Sequence, residues 1–365
     1  MRAYLDHNAT SPLKPEAKAA MLAALERGGN ASSIHAEGRG ARATIEAARD
    51  GLARELGVIA PMVIFTSGGT EANNLALKGA GVDRFILSAV EHPCIREAAR
   101  ATGKPVDVVP VDGEGRLDLA ALAACAQKPG RALVALMLAN NETGVILPVR
   151  EAAGITRPHG HWLHVDGVQG LGKLPLRFAV LGADSLALSA HKIGGPLGAG
   201  ALVIADGLPL SPQMDGGGQE LRRRAGTENA PALAGFAAAL GPLPAHVAGL
   251  RDRMEAELAA QFPDIRFFGR NAPRLPNTSC FALPGLAADT ALISLDLDGV
   301  SVSSGSACSS GKVGQSHVLA AMGVAETEAK AAIRVSLGWN STVSDIEQFM
   351  AALSRAAART KRKVA

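Results

Sequence analysis

SLALSAHKIGGPLGAGALVI, residues 185–204, runs from a short apolar stretch to one lysine, Lys192, then through glycines into a second apolar stretch. A lysine at the end of a buried strand, with glycines that let other groups come close, is an amine presented to a carbonyl compound for Schiff-base formation. The two apolar runs belong to a longer series: VIFT (63–66), RFILS (84–88), VDVVPV (106–111), ALVALML (132–138), WLHVD (162–166), SLALS (185–189) and ALVIA (201–205). Ala-rich helical stretches such as EANNLALKG, CIREAARATG and DLAALAACAQ lie between several of them. Buried strands alternating with helices predict an α/β fold with a mostly parallel seven-stranded sheet sandwiched by helices.

Near residue 245 the pattern changes. HVAGLRDRMEAELAAQF reads as a long amphipathic helix, followed by IRFFG, TSCFALPG, a helix through TALISLDLD, the strand VSVSS, and IRVSLG. The expectation is a large domain over residues 15–245 and a smaller α+β domain formed by 1–14 with 246–365. A chain of 365 residues with 47% apolar content can bury a core of that size.

Charge and cysteine usage narrow the class of protein. Thirty-seven basic and 34 acidic residues leave a net charge of +3, and the one basic run, Lys361-Arg362-Lys363, reads as a solvated tail. That argues against nucleic acid as a direct partner. Cys94, Cys125, Cys280 and Cys308 are scattered, with neither a CxxC pair nor zinc spacing, so no metal site is expected. Such usage suits reduced thiols in the cytoplasm. The polar start MRAYLDHNAT does not read as a signal peptide, and no apolar run approaches the roughly 18 residues of a membrane span.

Several segments carry candidate chemistry. In FTSGGTEANN, a strand turns through Ser67-Gly68-Gly69-Thr70 into a helix whose N–H groups and Thr70 hydroxyl suit a phosphate; an ordinary Gly-rich turn with a Thr cap gives the same pattern. Ser189 and His191 beside Lys192 are placed to close on the same anion. His92, in EHPC, either stacks on an aromatic cofactor and moves protons or caps the next helix. Asp166 in HVDGVQ ends a strand where a pyridoxal phosphate enzyme needs a carboxylate for its ring nitrogen, with Gln169 near the ring oxygen; Asp166 also suits a helix cap. In NNETG, Asn141 is a candidate for a substrate carboxylate and Glu142 for stabilising the turn. Arg334, inside the apolar IRVSLG, serves a substrate carboxylate or a buried salt bridge. Cys308 sits in VSSGSACSSGKVGQS, too small and polar to pack, and is expected on a mobile, exposed loop over about 301–316. The other three cysteines read as inert core residues.

Taken together, YLDHNATSP, NASSIHAEGRGAR, FTSGGTEANN, EHPC, NNETGVILP, HVDGVQ, SAHKIGGPLGAGAL, GGGQELRRRAGTEN, GSACSSG and IRVSLG resemble the NifS/IscS-type cysteine desulfurases, a class V aminotransferase group of fold-type-I pyridoxal phosphate enzymes. The motifs span nearly the whole chain in order. The resemblance implies pyridoxal 5'-phosphate as cofactor, with Lys192 as Schiff-base lysine, His92 on the ring, Asp166 at the ring nitrogen and Gln169 at the ring oxygen. It implies Gly69, Thr70, Ser189 and His191 around the phosphate, with Thr227 reaching in across the interface of a homodimer. Asn141 and Arg334 would hold the carboxylate of L-cysteine, and Cys308 would accept its sulfur. The product would be L-alanine, and the sulfur would pass to an iron–sulfur scaffold or another acceptor protein, including one for tRNA thiolation. A selenocysteine lyase or an aminotransferase on the same fold would share Lys192 and Asp166 without needing Cys308. Ala31, Gly167 and Gly194 depart from the commoner pattern and bear on local packing.

Overall fold

All seven apolar runs fold as strands of one sheet. In the computed structural model, which describes residues 2–305 and 316–364, the strands in chain order begin with β1 (Ala3–Tyr4), β2 (Val63–Thr66), β3 (Arg84–Ser88) and β4 (Val106–Val109). There follow β5 (Ala132–Met137), β6 (Trp162–Asp166), β7 (Ser185–Ser189) and β8 (Gly200–Ile204). The remainder are β9 (Arg266–Phe267), β10 (Thr278–Ala282), β11 (Val300–Ser301), β12 (Ser303–Ser304) and β13 (Ala332–Ser336).

The central sheet has the order β2-β8-β7-β6-β5-β3-β4. Its neighbours run parallel except β8, which is antiparallel to both β2 and β7. The mostly parallel seven-stranded α/β sheet is therefore the one expected. Strands β5 and β7 are buried along their whole length and β6 beyond Trp162, as a sheet covered on both faces requires. β4 departs from this. Val106 and Val108 are 38% and 59% exposed, because β4 is the outermost strand and has only β3 beside it.

A second apolar core lies apart from that sheet. Ala3 and Leu5 pack there with Leu250, Met254, Phe281, Val335, Phe349 and Leu353. β1 pairs in parallel with β11, and β12, β13, β10 and β9 form an antiparallel sheet. The stretch read as one strand, VSVSS, is split into β11 and β12, which belong to different sheets. The chain end also differs from expectation: the helix Val343–Val364 continues through the basic residues read as a tail. Among the described residues no helix is long and apolar enough to cross a membrane.

Candidate active site

The carboxyl ends of β5, β6 and β7 open on a cavity of about 320 Å³, where ligands of open α/β sheets sit. Its wall includes Gly69, Thr70, His92, Asn141, Asp166, Gln169, Ser189, His191, Lys192 and Arg334. Ten side chains or backbones singled out from the sequence thus meet around one space. Two do not. Thr227 is exposed and absent from that wall, and Cys308 lies outside the described residues.

Lys192 follows β7 directly, and its Nζ donates to the carbonyls of Asn8 and Ala9 at 2.7 and 2.8 Å. The first residues of the chain therefore form part of the site. Gly194, two residues on, has φ +83°, and an added Cβ would meet Lys14 Cγ at 2.7 Å, which explains glycine where an aromatic residue is commoner. Opposite, the helix Gly69–Gly79 begins at Gly68 with no side-chain cap. Gly69 and Thr70 of its first turn, whose N–H groups have no partner within the helix, line the cavity with Ser189, and a Cβ on Gly69 would meet Val168 Cγ2 at 2.5 Å.

Asp166 is buried at the end of β6. Its Oδ2 accepts from Asn73 Nδ2 at 2.9 Å and its Oδ1 from Val168 N at 3.1 Å, so it caps a turn rather than the helix the sequence suggested, while also lining the cavity. Behind it, Asn73 Oδ1 meets His164 Nε2 at 2.8 Å, and His164 Nδ1 meets Ser185 Oγ at 2.8 Å. Burial raises the pKa of Asp166, an effect His92 opposes. Burial alone pushes His164 down to about 3, so it stays neutral.

His92 is the helix cap read for it, and it also lies on the cavity wall. It is the N-cap of the helix Pro93–Ala101, with Nδ1 accepting from Cys94 N at 3.2 Å. Burial lowers its pKa while Asp166 raises it. Cys94 packs against the core as expected and also lines the cavity, its Sγ 3.0 Å from His92 Nδ1. Its thiol is nevertheless pushed up to about 12 by burial, with Asp166 adding, so it is a poor nucleophile.

Arg334 is fully buried on β13. One arm pairs with Asp6 Oδ1 at 2.7 Å and the other donates to Asn141 O at 3.0 Å, while its Nε has no partner among the described residues. Salt bridge and cavity wall are thus the same residue. Glu142 does not brace the NNETG turn; Asn140 does, its Oδ1 accepting from the N–H groups of Glu142 and Thr143 at 2.9 and 3.0 Å. Glu142 instead accepts from Ser316 Oγ, and burial raises it to about 7. Asn8, Asn73 and Lys173 are the polar residues the sequence reading missed. Asn73 left one trace, a polar residue on the buried face of an otherwise apolar helix; Asn8 and Lys173 left none.

A half-buried lysine just past a strand end, a buried carboxylate, an uncapped helix and a buried arginine around one cavity define a class: enzymes that work on amino acids through a carbonyl cofactor. The aminotransferase class-V family model matches residues 3–349. A cysteine desulfurase of Cereibacter sphaeroides is 42% identical, with 96% of this chain and 95% of that protein aligned. Among solved structures, a NifS-like protein from Rickettsia africae has a TM-score of 0.91 at 36% identity, covering 98% of this chain and all of that one. SspA in complex with cysteine superposes with a TM-score of 0.81 at 28% identity, covering 94% of this chain and 100% of that one. The chain belongs to the aminotransferase class-V family, in its group of NifS/IscS-type cysteine desulfurases.

Proposed function

We propose that this chain converts L-cysteine to L-alanine with pyridoxal 5'-phosphate held in the cavity and sulfur accepted by Cys308. The observation that carries this reading is the convergence of Lys192, Asp166, His92 and Arg334 on one 320 Å³ space. The donor set fits the cofactor. Asp166 takes its two hydrogen bonds from neutral donors, which suits a cationic ring nitrogen on the cavity side. The uncapped helix at Gly68, with Ser189 and His191, suits a phosphate. When bound, the cofactor supplies an electron sink conjugated to the substrate α-carbon.

The chain's own groups do the rest. Lys192 holds the cofactor and, once released, removes the α-proton; the Asn8 and Ala9 carbonyls hold its amine meanwhile. Arg334 and Asn141 receive the substrate carboxylate, the arginine through its planar fork. Gln169 would meet the cofactor's ring oxygen, Gly69 and Thr70 its phosphate and His92 its ring face, where the imidazole would carry a proton near the departing sulfur. The Cys308 thiolate attacks that sulfur: the carbon–sulfur bond breaks, a sulfur–sulfur bond forms, and the Cys308 proton is recovered in the product alanine or the persulfide. An iron–sulfur scaffold or another acceptor protein then takes the sulfur.

Two further parts of the reading concern assembly. We read domains at 15–245 and at 1–14 with 246–365 from the separate core of Ala3, Leu5, Met254, Phe281 and Leu353; Phe268, Cys280, Ala282 and Val318 cross over to pack into the core of the large sheet. Thr227 is exposed, as are Leu22, Leu25, Ile34, Leu197 and Leu221, which supports a homodimer in which Thr227 of a second copy completes the phosphate site. Free thiols at Cys94, Cys125 and Cys280 support a reducing, cytoplasmic setting.

The test is alanine and sulfide release from L-cysteine with a thiol reductant. Wild type should give equal amounts of the two, and Lys192→Ala and Cys308→Ser should give neither. Full activity in Cys308→Ser would transfer the reading to a lyase or transaminase.

A further inference from the structure

Lys173 lies four residues beyond Gln169 and behind the cavity wall rather than in it. Its Nζ sits between two side-chain amides, donating to Asn8 Oδ1 at 2.8 Å and to Gln169 Oε1. An ammonium has three donors and no acceptor, so each amide must turn its oxygen toward it. That settles the direction of both. The Gln169 NH2 is left on the cavity side, where it donates to Asn8 O at 3.0 Å. The Asn8 NH2 is left to Thr278 Oγ1 at 2.9 Å and Asn141 O at 3.3 Å. The same Asn8 carbonyl takes Lys192 Nζ at 2.7 Å. One amine outside the cavity therefore sets the orientation of Gln169 and Asn8, and through Asn8 the seat of Lys192.

The surroundings of Lys173 are cationic or neutral. Lys192 and Arg334 face it, with His7, His191 and Lys14 close by. The nearest carboxylates are engaged elsewhere, Asp6 by Arg334 and Asp166 by Asn73 and the Val168 N–H. Burial first, then Lys192 and Arg334, push the Lys173 amine well below the ordinary lysine range. The two lysines therefore compete for charge, each with two amide oxygens on its amine: Asn8 Oδ1 and Gln169 Oε1 on Lys173, the Asn8 and Ala9 carbonyls on Lys192.

We propose that Lys173 is a positioning residue that makes the nitrogen at Lys192 less basic, by aiming the Gln169 amide into the cavity and by placing a cation behind the Asn8 hub. The proposal rests on the reading of Lys192 as the cofactor's lysine. A donor on the cofactor's ring oxygen and a nearby cation both disfavour protonation of that nitrogen, so their effects carry the same sign.

The experiment is a pH titration of the visible absorption of full-length, cofactor-loaded protein: wild type, Lys173→Met and Lys173→Arg. Lys173→Met should raise the midpoint by about one pH unit, a tenfold gain in proton affinity; Lys173→Arg, which keeps the charge, should stay nearer wild type. A midpoint unchanged in Lys173→Met, even with lower activity, would reduce Lys173 to a packing role and overturn the proposal. If Lys173→Met does not fold, Lys173→Gln is titrated instead, with the same two outcomes. If wild type takes up no coloured cofactor, the preceding functional reading fails. Lys192 labelling by reductive methylation in the unloaded protein then decides: slower labelling in Lys173→Met at pH 8 supports the proposal, and equal rates overturn it.

Discussion

Glu91 shows how a residue next to the site is governed by desolvation. It is fully buried, its Oε1 accepts from Ser88 Oγ at 2.5 Å and Met137 N at 2.8 Å, and its Oε2 has no partner among the described residues. Burial raises its pKa to about 8, with Asp166 adding. The native state thus holds a proton that the unfolded chain releases near pH 4.5, and stability falls as pH rises from there to about 8. Glu91→Gln keeps the shape and removes the titration. Urea unfolding at pH 5, 6.5 and 8 should show the variant gaining on wild type by up to roughly 1.4 kcal/mol per pH unit. A constant difference would mean that Glu91 is ionised in the native state. Asn73 poses the complementary case. Asn73→Ala leaves Asp166 and His164 each short of a buried partner, and denaturant unfolding should show a loss of about 2–4 kcal/mol. At this scale the sequence was readable wherever a residue type was out of place, as with Lys192 at a strand end or Arg334 within an apolar run. Asn8 and Lys173 were not, because their partners lie up to 328 residues away (Asn8 N to Ser336 Oγ) and no local pattern records the meeting.

Strand ends are where element geometry becomes site geometry. Ser189 on β7 is paired with Gly200 on β8, and Gly200 with Thr66 on β2. A Cβ on Gly200 would come within 2.5 Å of Gly68 Cα and 2.8 Å of Leu188 O, both backbone atoms that cannot swing away. Gly200→Ala should therefore cost about 1–3 kcal/mol, by the usual measure of overpacking, and displace the Gly68 turn. Thermal unfolding and a pyridoxal phosphate titration check this together; unchanged cofactor affinity would separate the turn from the phosphate site. The seven sheet strands were legible because each is a short apolar run bounded by polar residues. The helix Ala36–Leu56 was not picked out, although Ile45, Leu52 and Leu56 are buried along it, because alanines and charges dilute the period. Thr227 follows a segment with three consecutive left-handed residues, Glu220, Leu221 and Arg222, held by Glu220 against Arg49 at 2.7 and 2.8 Å. Nothing in the local sequence announces that turn.

Across the whole molecule, the exposed apolar side chains matter most. Ile34 is 90% and Leu197 69% exposed, in a protein whose other large apolar residues are mostly buried. If these cover the homodimer interface, Ile34→Asp with Leu197→Asp should shift sedimentation from dimer toward monomer and weaken cofactor retention. A stable wild-type monomer would remove the need for Thr227 from a second copy. The order of the elements along the chain has a different consequence. Asn8 precedes the whole central sheet in the sequence, yet its backbone N–H is held by Ser336 Oγ, and β1 is paired with β11 almost 300 residues later. On the ribosome, the central sheet can form while the amino-terminal segment still has nothing to dock against. The seat of the Lys192 amine is therefore completed only after β13 has been made, and a nascent chain stalled before β13 would carry its lysine but lack the place to hold it.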